Sequence, residues 1–386
     1  MYPHQRFLLF ISLLFSTAAL SQTYTIKGRV VDASTRTALS KATVYINNST
    51  RGTIADDSGY FSFPALPAGT YEVVASFVGY KTLLVPVKLT TADFKIDIAL
   101  QLQQKELREV LILTNATRLR YMDLFRKNVL GFTYDAGRCV IKNPEAIQFI
   151  EGKAKNDVLA FADEPLEIEN PVLGYTVYFT IAEVYFNTGT TASYFFGYTR
   201  YKDWMENDVT NKKWLRNRRN VYLGSSQHFF RSLVKKELQK QGFAVQTVAS
   251  GLAARTENQV QVQRNGTDAT VSTMRFSGST VMKSMAEDSL LKDAGTESYK
   301  VFELSLSQQM YIKYNRNTEL KLQMARIMTL PGQPESGTMS GLRLKKSPVL
   351  VDYRGILLYP MNVYFDGIWA YERLANMLPE DYEPEK

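Results

Sequence analysis

His228 follows Ser225 by three residues in Gly224-Ser225-Ser226-Gln227-His228, and it is one of two histidines in 386 residues. Serine and histidine can act as nucleophile and base. A hydrolase also needs the serine on a sharp turn, a carboxylate to orient the histidine, and an oxyanion hole. The G-x-S-x-G elbow is missing here. A spacing of three fits a serine capping the helix that carries the histidine, so the pair reads as structural. Asp163, Glu164, Glu167 and Glu169 supply the paired carboxylates that a glycosidase uses. Leu166 and Ile168 alternate with Glu167 and Glu169, however, which describes a strand with one wet face.

Five basic residues fall within Lys212-Lys213-Trp214-Leu215-Arg216-Asn217-Arg218-Arg219. With an aromatic ring among the cations, this stretch suits a phosphate or an anionic glycan. It equally describes a solvated basic helix face beside a core tryptophan, with Trp214 and Arg218 spaced to stack. Lys212, Lys213, Trp214, Arg216, Arg218 and Arg219 are the candidate binding residues. No catalytic, cofactor-binding or metal-ligating set is expected. Cys139 is the one cysteine, so an intramolecular disulfide is impossible, and in Arg138-Cys139-Val140-Ile141 it reads as a small buried residue. Asp56-Asp57-Ser58 are consecutive, with no glutamate at the spacing of a calcium loop, so they read as a turn.

Arg6 precedes an apolar run, and Ala19-Leu20-Ser21 has the small-x-small form that a signal peptidase accepts. Residues 1–21 are expected to be a signal peptide cleaved before Gln22. The run is shorter than the ~20 residues that span a bilayer, and no transmembrane span is expected after its removal. The expected location is the periplasm or the outer-membrane and cell-surface region. The formal net charge of +8 suits weak attraction to anionic surfaces. With export, nucleic acid is not an expected partner.

Residues 22–102 show short alternating stretches separated by turn residues, the pattern of a β-sandwich. Ile26 and Val30, then Val44 and Ile46, then Tyr71, Val73 and Ala75 form inward sets. Phe94, Ile96, Ile98, Leu100 and Leu102 recur at every second position. Four segments carry a family likeness: Gly28-Arg29-Val30-Val31-Asp32, Ala42-Thr43-Val44-Tyr45-Ile46, Thr53-Ile54-Ala55-Asp56-Asp57-Ser58-Gly59-Tyr60-Phe61 and Leu66-Pro67-Ala68-Gly69-Thr70-Tyr71. Together they resemble the carboxypeptidase regulatory-like domain, a transthyretin-like sandwich that accompanies carboxypeptidases, outer-membrane receptors and other exported proteins. The resemblance implies a prealbumin- or Ig-like fold and a compartment, but no activity. A zinc peptidase site takes about three protein ligands, and one histidine is left after the leader. Glu106-Leu107-Arg108-Glu109-Val110-Leu111-Ile112 resembles the segment that joins this module to a TonB-dependent receptor plug. The roughly 280 residues that follow are too few for a 22-stranded barrel.

Residues 103–386 are expected to form a larger β-rich α+β domain, making the fold class mainly β. A helix is expected over 118–130, ending at Gly131, and a second from Ser225-Ser226 to Gly242 with Phe229, Phe230, Leu233, Val234 and Leu238 on its apolar face. A last helix is expected from Asp366 to before Pro379. Strands are expected over 175–186, 193–198, 299–306 and 310–314, the last two paired, with a hairpin over 349–359. Residues 258–293 are polar with weak strand signals, a candidate mobile insert. The blocks around Lys213 to Leu233 and Phe365 to Pro384 resemble uncharacterised exported proteins of Gram-negative bacteria. The expected function is a non-catalytic cell-envelope protein that binds or scaffolds, with an envelope protein or a glycan as partner. The alternative is a hydrolase acting on an envelope glycan or peptide.

Overall fold

A computed structural model describes residues 22–103, 113–152, 154–190, 193–205, 211–248, 256–264, 267–274, 282–296, 299–316 and 339–385. The expected signal peptide over 1–21 and the segment 106–112 lie outside the described residues. The chain is mainly β.

Seven strands build the N-terminal sandwich: β1 (Thr23–Asp32), β2 (Thr43–Ile46), β3 (Gly52–Ile54), β4 (Tyr60–Pro67), β5 (Gly69–Ser76), β6 (Leu83–Leu89) and β7 (Phe94–Leu100). They form two sheets, β4-β1-β7 and β3-β2-β5-β6. The alternating residues Ile26, Val30, Val44, Val73 and Ile98 meet between them. Each fully buried aliphatic side chain of this kind contributes about 1.5–3 kcal/mol. Gly28 lies so close to β7 that a Cβ would fall 1.7 Å from the Ile96 carbonyl oxygen. The alternation in β7 fades at its ends: Ile98 and Leu100 are buried, whereas Phe94 and Leu102 are exposed.

The body begins with helix α1 (Asn115–Val129), whose first turn is capped by Thr114 Oγ1 accepting from Thr117 N. Phe125 and Val129 face inward, and Gly131 ends the run at φ 116°. After α2 (Tyr134–Arg138) come β8 (Val140–Ile141), β9 (Gln148–Glu151), β10 (Asp157–Phe161), β11 (Leu166–Asn170), β12 (Tyr175–Asn187) and β13 (Ser193–Asp203). Strand β12 organises this sheet. Its first half pairs with β11, its second half with β10, and its whole other edge with β13. Phe125, Val129, Phe149, Phe179 and Phe186 fill the core beneath it.

Three helices follow: α3 (Lys212–Tyr222), α4 (Ser226–Val234) and α5 (Leu238–Gln241). The remaining strands are β14 (Phe243–Val248), β15 (Thr256–Arg264), β16 (Thr267–Met274), β17 (Met282–Ser284), β18 (Leu291–Asp293), β19 (Val301–Leu304), β20 (Met310–Tyr314), β21 (Met339–Leu344), β22 (Val349–Asp352), β23 (Leu357–Leu358) and β24 (Val363–Gly367). They form a five-stranded sheet β17-β14-β20-β21-β24, a four-stranded sheet β18-β19-β22-β23 and the hairpin β15-β16. A third core gathers Phe229, Phe243, Ile312, Leu342, Val351 and Trp369.

Four local expectations change. The helix expected up to Gly242 breaks at Lys236, which takes φ 55°. Lys236 N donates to Leu233 O and Glu237 N to Ser232 O, the two bonds of a Schellman stop with lysine at the left-handed position. The chain then turns, and Leu238 reaches the core from a new helix. Where the last helix is expected, Asp366 and Gly367 instead end strand β24, with Asp366 paired to Gly341, and two 3-10 turns follow at Ile368–Tyr371 and Leu374–Asn376. The pair expected between 299–306 and 310–314 is not formed. Strand β20 is buried on both faces at Met310, Tyr311 and Ile312, as a central strand is, and it takes β14 and β21 as neighbours. Within the segment 258–293, expected as a mobile insert with weak strand signals, β15 and β16 pair antiparallel. The hairpin expected near 350 is present as β22-β23.

The sandwich meets the body at the turn between β2 and β3. Asn48 N donates to Thr199 O and Tyr201 N donates to Ser49 O, extending the edge of β13 onto this turn. Thr199 N donates to Asn47 Oδ1. An edge strand that would otherwise present open backbone groups is thus partly closed by the sandwich.

Candidate functional site

Helix α3 starts at Asn211, whose Oδ1 accepts from Lys213 N and Trp214 N. One face of the helix grips the turn between β11 and β12. Trp214 Nε1 donates to Pro171 O at 3.0 Å, and Asn217 Nδ2 donates to Val172 O at 2.9 Å. Arg218 is 2% exposed. Its Nε donates to Leu173 O at 2.7 Å, and its Nη2 to Gly174 O at 3.0 Å. The two Nη groups hold Asp203 bidentately, at 2.9 and 2.7 Å. The guanidinium lies 3.7 Å from the centre of the Tyr175 ring. Burial pushes the Tyr175 hydroxyl far above its ordinary range, with Arg218 opposing. Gly174 has φ +70°, and a Cβ there would sit 2.3 Å from the Trp214 ring. Trp204 completes the mount, edge-on to Trp214 at 5.5 Å.

The other face of α3 is different. Lys212, Lys213, Arg216 and Arg219 are exposed. None of them is in an ion pair with a described carboxylate. Positions 212, 216 and 219 lie on one stripe of a 3.6-residue helix. The structure therefore brings four of the six candidate residues to solvent, half-buries Trp214 and buries Arg218. Arg218 stacks on Tyr175, not on Trp214 as the spacing suggested.

His228 is buried at the start of α4. Ser225 Oγ accepts from His228 N at 3.1 Å and donates to Tyr222 O at 2.7 Å. The ring accepts from Gly224 N at Nδ1 (3.0 Å), and its Nε2 lies 3.4 Å from Gln241 Oε1. Tyr222, Phe243 and Tyr314 surround it. Ser225 caps the helix, as its spacing predicts, and its hydroxyl is not bonded to the imidazole.

The acidic strand also follows its alternation, with Leu166 and Ile168 buried. Its carboxylates disperse: Glu164 accepts from Asn143 Nδ2 at 3.0 Å, and Glu169 faces Lys142 at 3.5 Å. Burial pushes the Cys139 thiol up to about 12. Among the described residues, no three His, Cys, Asp or Glu side chains are grouped to hold a metal ion.

In the sandwich, the turn at Gly59 takes φ +81°. Asp56 Oδ1 closes it by accepting from Ser58 N and Tyr60 N. The four sequence segments that carried the family likeness thus lie on β1, β2, the β3–β4 turn and the β4–β5 connection of a two-sheet sandwich. Residues 26–112 match the CarboxypepD_reg-like domain. No curated protein matches the chain. Among solved structures, the pilus 2b backbone protein of group B streptococcus is 18% identical over 22% of this chain and 43% of its own, with a TM-score of 0.20. A chain of a type II cohesin–X-dockerin complex from Acetivibrio cellulolyticus is 25% identical over 20% and 56%, TM-score 0.18. A protein of unknown function from Bacteroides fragilis is 16% identical over 41% and 65%, TM-score 0.19. Each is matched over less than two thirds of its own length.

The CarboxypepD_reg-like domain brings its own residues to a junction that sequence spacing did not point to. Arg354, just after β22, reaches Asp352 at 2.6 Å and donates to Thr70 O at 2.9 Å. It also stacks over Tyr71 at 4.5 Å. Gly69 makes room for it, since a Cβ there would lie 2.6 Å from Arg354 Nη2. Thr70 and Arg354 are 284 positions apart, so no local pattern links them. The one signal was Asp352-Tyr353-Arg354-Gly355, a charged turn inside an apolar stretch.

Proposed function

We propose that this chain is a non-catalytic binding or scaffolding protein of the cell envelope, exported by residues 1–21, whose body holds an anionic partner on the outer face of α3. The partner is an envelope protein or glycan carrying phosphate, sulfate or carboxylate groups. One observation carries this reading. His228, Ser225 and the acidic strand are engaged in holding the fold, while Lys212, Lys213, Arg216 and Arg219 are exposed, without an ion pair among the described residues, on a helix that is itself rigidly mounted. His228 and Ser225 cap α4, and the acidic residues are dispersed along a strand edge, so the hydrolase alternative gains no support. A fixed row of cations raises the local concentration of an anionic partner, and the attraction falls with salt.

Heparin serves as the anionic probe. The wild-type protein is expected to be retained on a heparin column and eluted by salt. The combined variant Lys212→Ala, Lys213→Ala, Arg216→Ala, Arg219→Ala should elute at clearly lower salt with an unchanged circular dichroism spectrum. Equal elution of the two proteins would remove α3 from the function.

A further inference from the structure

We propose that the tip built by residues 345–348 and 359–362 is a membrane-contact site, which sets Tyr359 and Met361 among lipid headgroups and Lys345 and Lys346 against their anionic groups. This goes beyond the binding face of α3 and stands on different residues. The two loops run side by side. The first carries the chain from β21 of the five-stranded sheet to β22 of the four-stranded sheet, and the second carries it back from β23 to β24. Leu344 pairs with Val363 and Leu350 with Leu358, so both loops leave the sheets at one end of the body. Lys345 N donates to Asn362 O at 2.8 Å and ties them together.

The apolar side chains at this tip point away from every core. Tyr359 is 67% exposed and Met361 63%, with Pro360 exposed between them. Tyr359 takes φ 70°, a conformation uncommon for a bulky residue, and its ring gains no burial in return. The short turn Pro360–Asn362 follows. Asn362 N donates to Tyr359 O at 3.0 Å, and Val363 N donates to Pro360 O. Proline has no N–H to satisfy, and Asn362 O is taken by Lys345. A loop that leaves water for the headgroup region must carry its backbone hydrogen bonds with it. This one does.

Charge decides what the tip meets. Residues 342–363 hold Arg343, Lys345, Lys346 and Arg354 against one acid, Asp352. Asp352 is fully buried and bonded to Arg354, whereas Lys345 and Lys346 are exposed. The outward charge is therefore positive. Lysines near an anionic leaflet strengthen attachment by about fivefold each, and tyrosine favours the headgroup level because its ring is apolar and its hydroxyl polar. A stable protein partner needs a broad surface of about 800 Å² on each side. A narrow tip with two large apolar side chains beside lysines suits a lipid surface better.

Co-sedimentation with vesicles tests this, using the chain freed of residues 1–21, which keeps every described residue. The wild-type protein should pellet with vesicles of phosphatidylglycerol and phosphatidylethanolamine, and far less with phosphatidylcholine alone. Tyr359→Ser with Met361→Ser should lower the partition coefficient on the anionic vesicles by about tenfold or more. Lys345→Gln with Lys346→Gln should lower it by a similar factor there. The α3 cations also attract anionic vesicles, so insertion is read separately. In Met361→Trp, the emission added over wild type should move to the blue and be quenched by lipids brominated along the acyl chain. It should do so as well when the four α3 cations are alanine. Wild-type protein that stays in the supernatant with both vesicles overturns the site. So does equal partition of the wild type and the Tyr359→Ser, Met361→Ser variant, or Met361→Trp emission that vesicles leave unchanged. A sedimentation coefficient that drops in the Tyr359→Ser, Met361→Ser variant without vesicles overturns it too, because the tip then holds a second copy of the chain.

Discussion

Replacing Arg218 with alanine separates a structural arginine from the surface cations beside it. The substitution removes two bonds to Asp203 and two to the carbonyls of Leu173 and Gly174. Asp203 keeps some solvent contact, at 21% side-chain exposure, so part of its charge is rehydrated, but the carbonyls lie in a buried turn. Breaking a buried ion pair from one side typically costs about 3–5 kcal/mol. An orphaned buried acceptor adds about 1–3 kcal/mol, with overlap between the two. Loss of the guanidinium from the Tyr175 ring works in the same direction. We expect a destabilisation of about 3–5 kcal/mol for Arg218→Ala, against less than about 0.5 kcal/mol for Arg216→Ala on the exposed face. Urea unfolding followed by tryptophan fluorescence suits this measurement, because Trp204 and Trp214 both sit in the mount. Arg218→Lys should fall in between, since an ammonium cannot reproduce the planar fork. A loss below about 1 kcal/mol for Arg218→Ala, or equal losses at 216 and 218, would refute the claim that α3 is held through this arginine.

Further outcomes can be checked with the same purified protein. Gly174→Ala should destabilise by more than about 1 kcal/mol and shift the tryptophan emission, because the residue has φ +70° and its new methyl meets Trp214. Ser225→Ala should cost about 1 kcal/mol through loss of the α4 cap, measured by urea unfolding; an unchanged midpoint would remove the capping role. Cys139 should resist a thiol reagent at pH 8 in the native protein and react on unfolding, because burial holds its pKa near 12. The Thr35 amide, followed by the Tyr80 hydroxyl, holds the Asp32 carboxyl down near 2. Asp32 should therefore stabilise the sandwich at neutral pH and lose that contribution as pH falls through the range from about 4 to 2. Asp32→Asn should flatten this acid transition in a circular dichroism titration.

Local patterns made much of this molecule readable. Period-two alternation placed Ile26, Val30, Val44, Val73 and Ile98 on one inner surface. The serine spacing before His228 anticipated the α4 cap. Both rest on neighbours within a few positions. The failures share a different cause. Lys236 ends a helix in a backbone conformation that its side chain does not advertise. Strand β20 chose its neighbours by burial on both faces, which depends on the rest of the chain. At the basic segment, composition located the residues but could not divide them. Arg218 turns inward only because Asp203 and the β11–β12 turn are brought to it by the sheet. The junction around residues 379–383 was the least legible, since its members come from widely separated stretches of the chain.

The length of the contacts at that junction sets an order of events during synthesis. Thr50 and Asp381 are 331 positions apart. At about 5–20 residues per second, the ribosome finishes the sandwich tens of seconds before it makes the residues that fasten it. Asn47, Asn48 and Ser49, with the Arg354-binding residues Thr70 and Tyr71, therefore leave the ribosome well before the segments that cover them. During that interval the same polar turn that later closes the β13 edge is open to any chaperone or exposed strand that reaches it first.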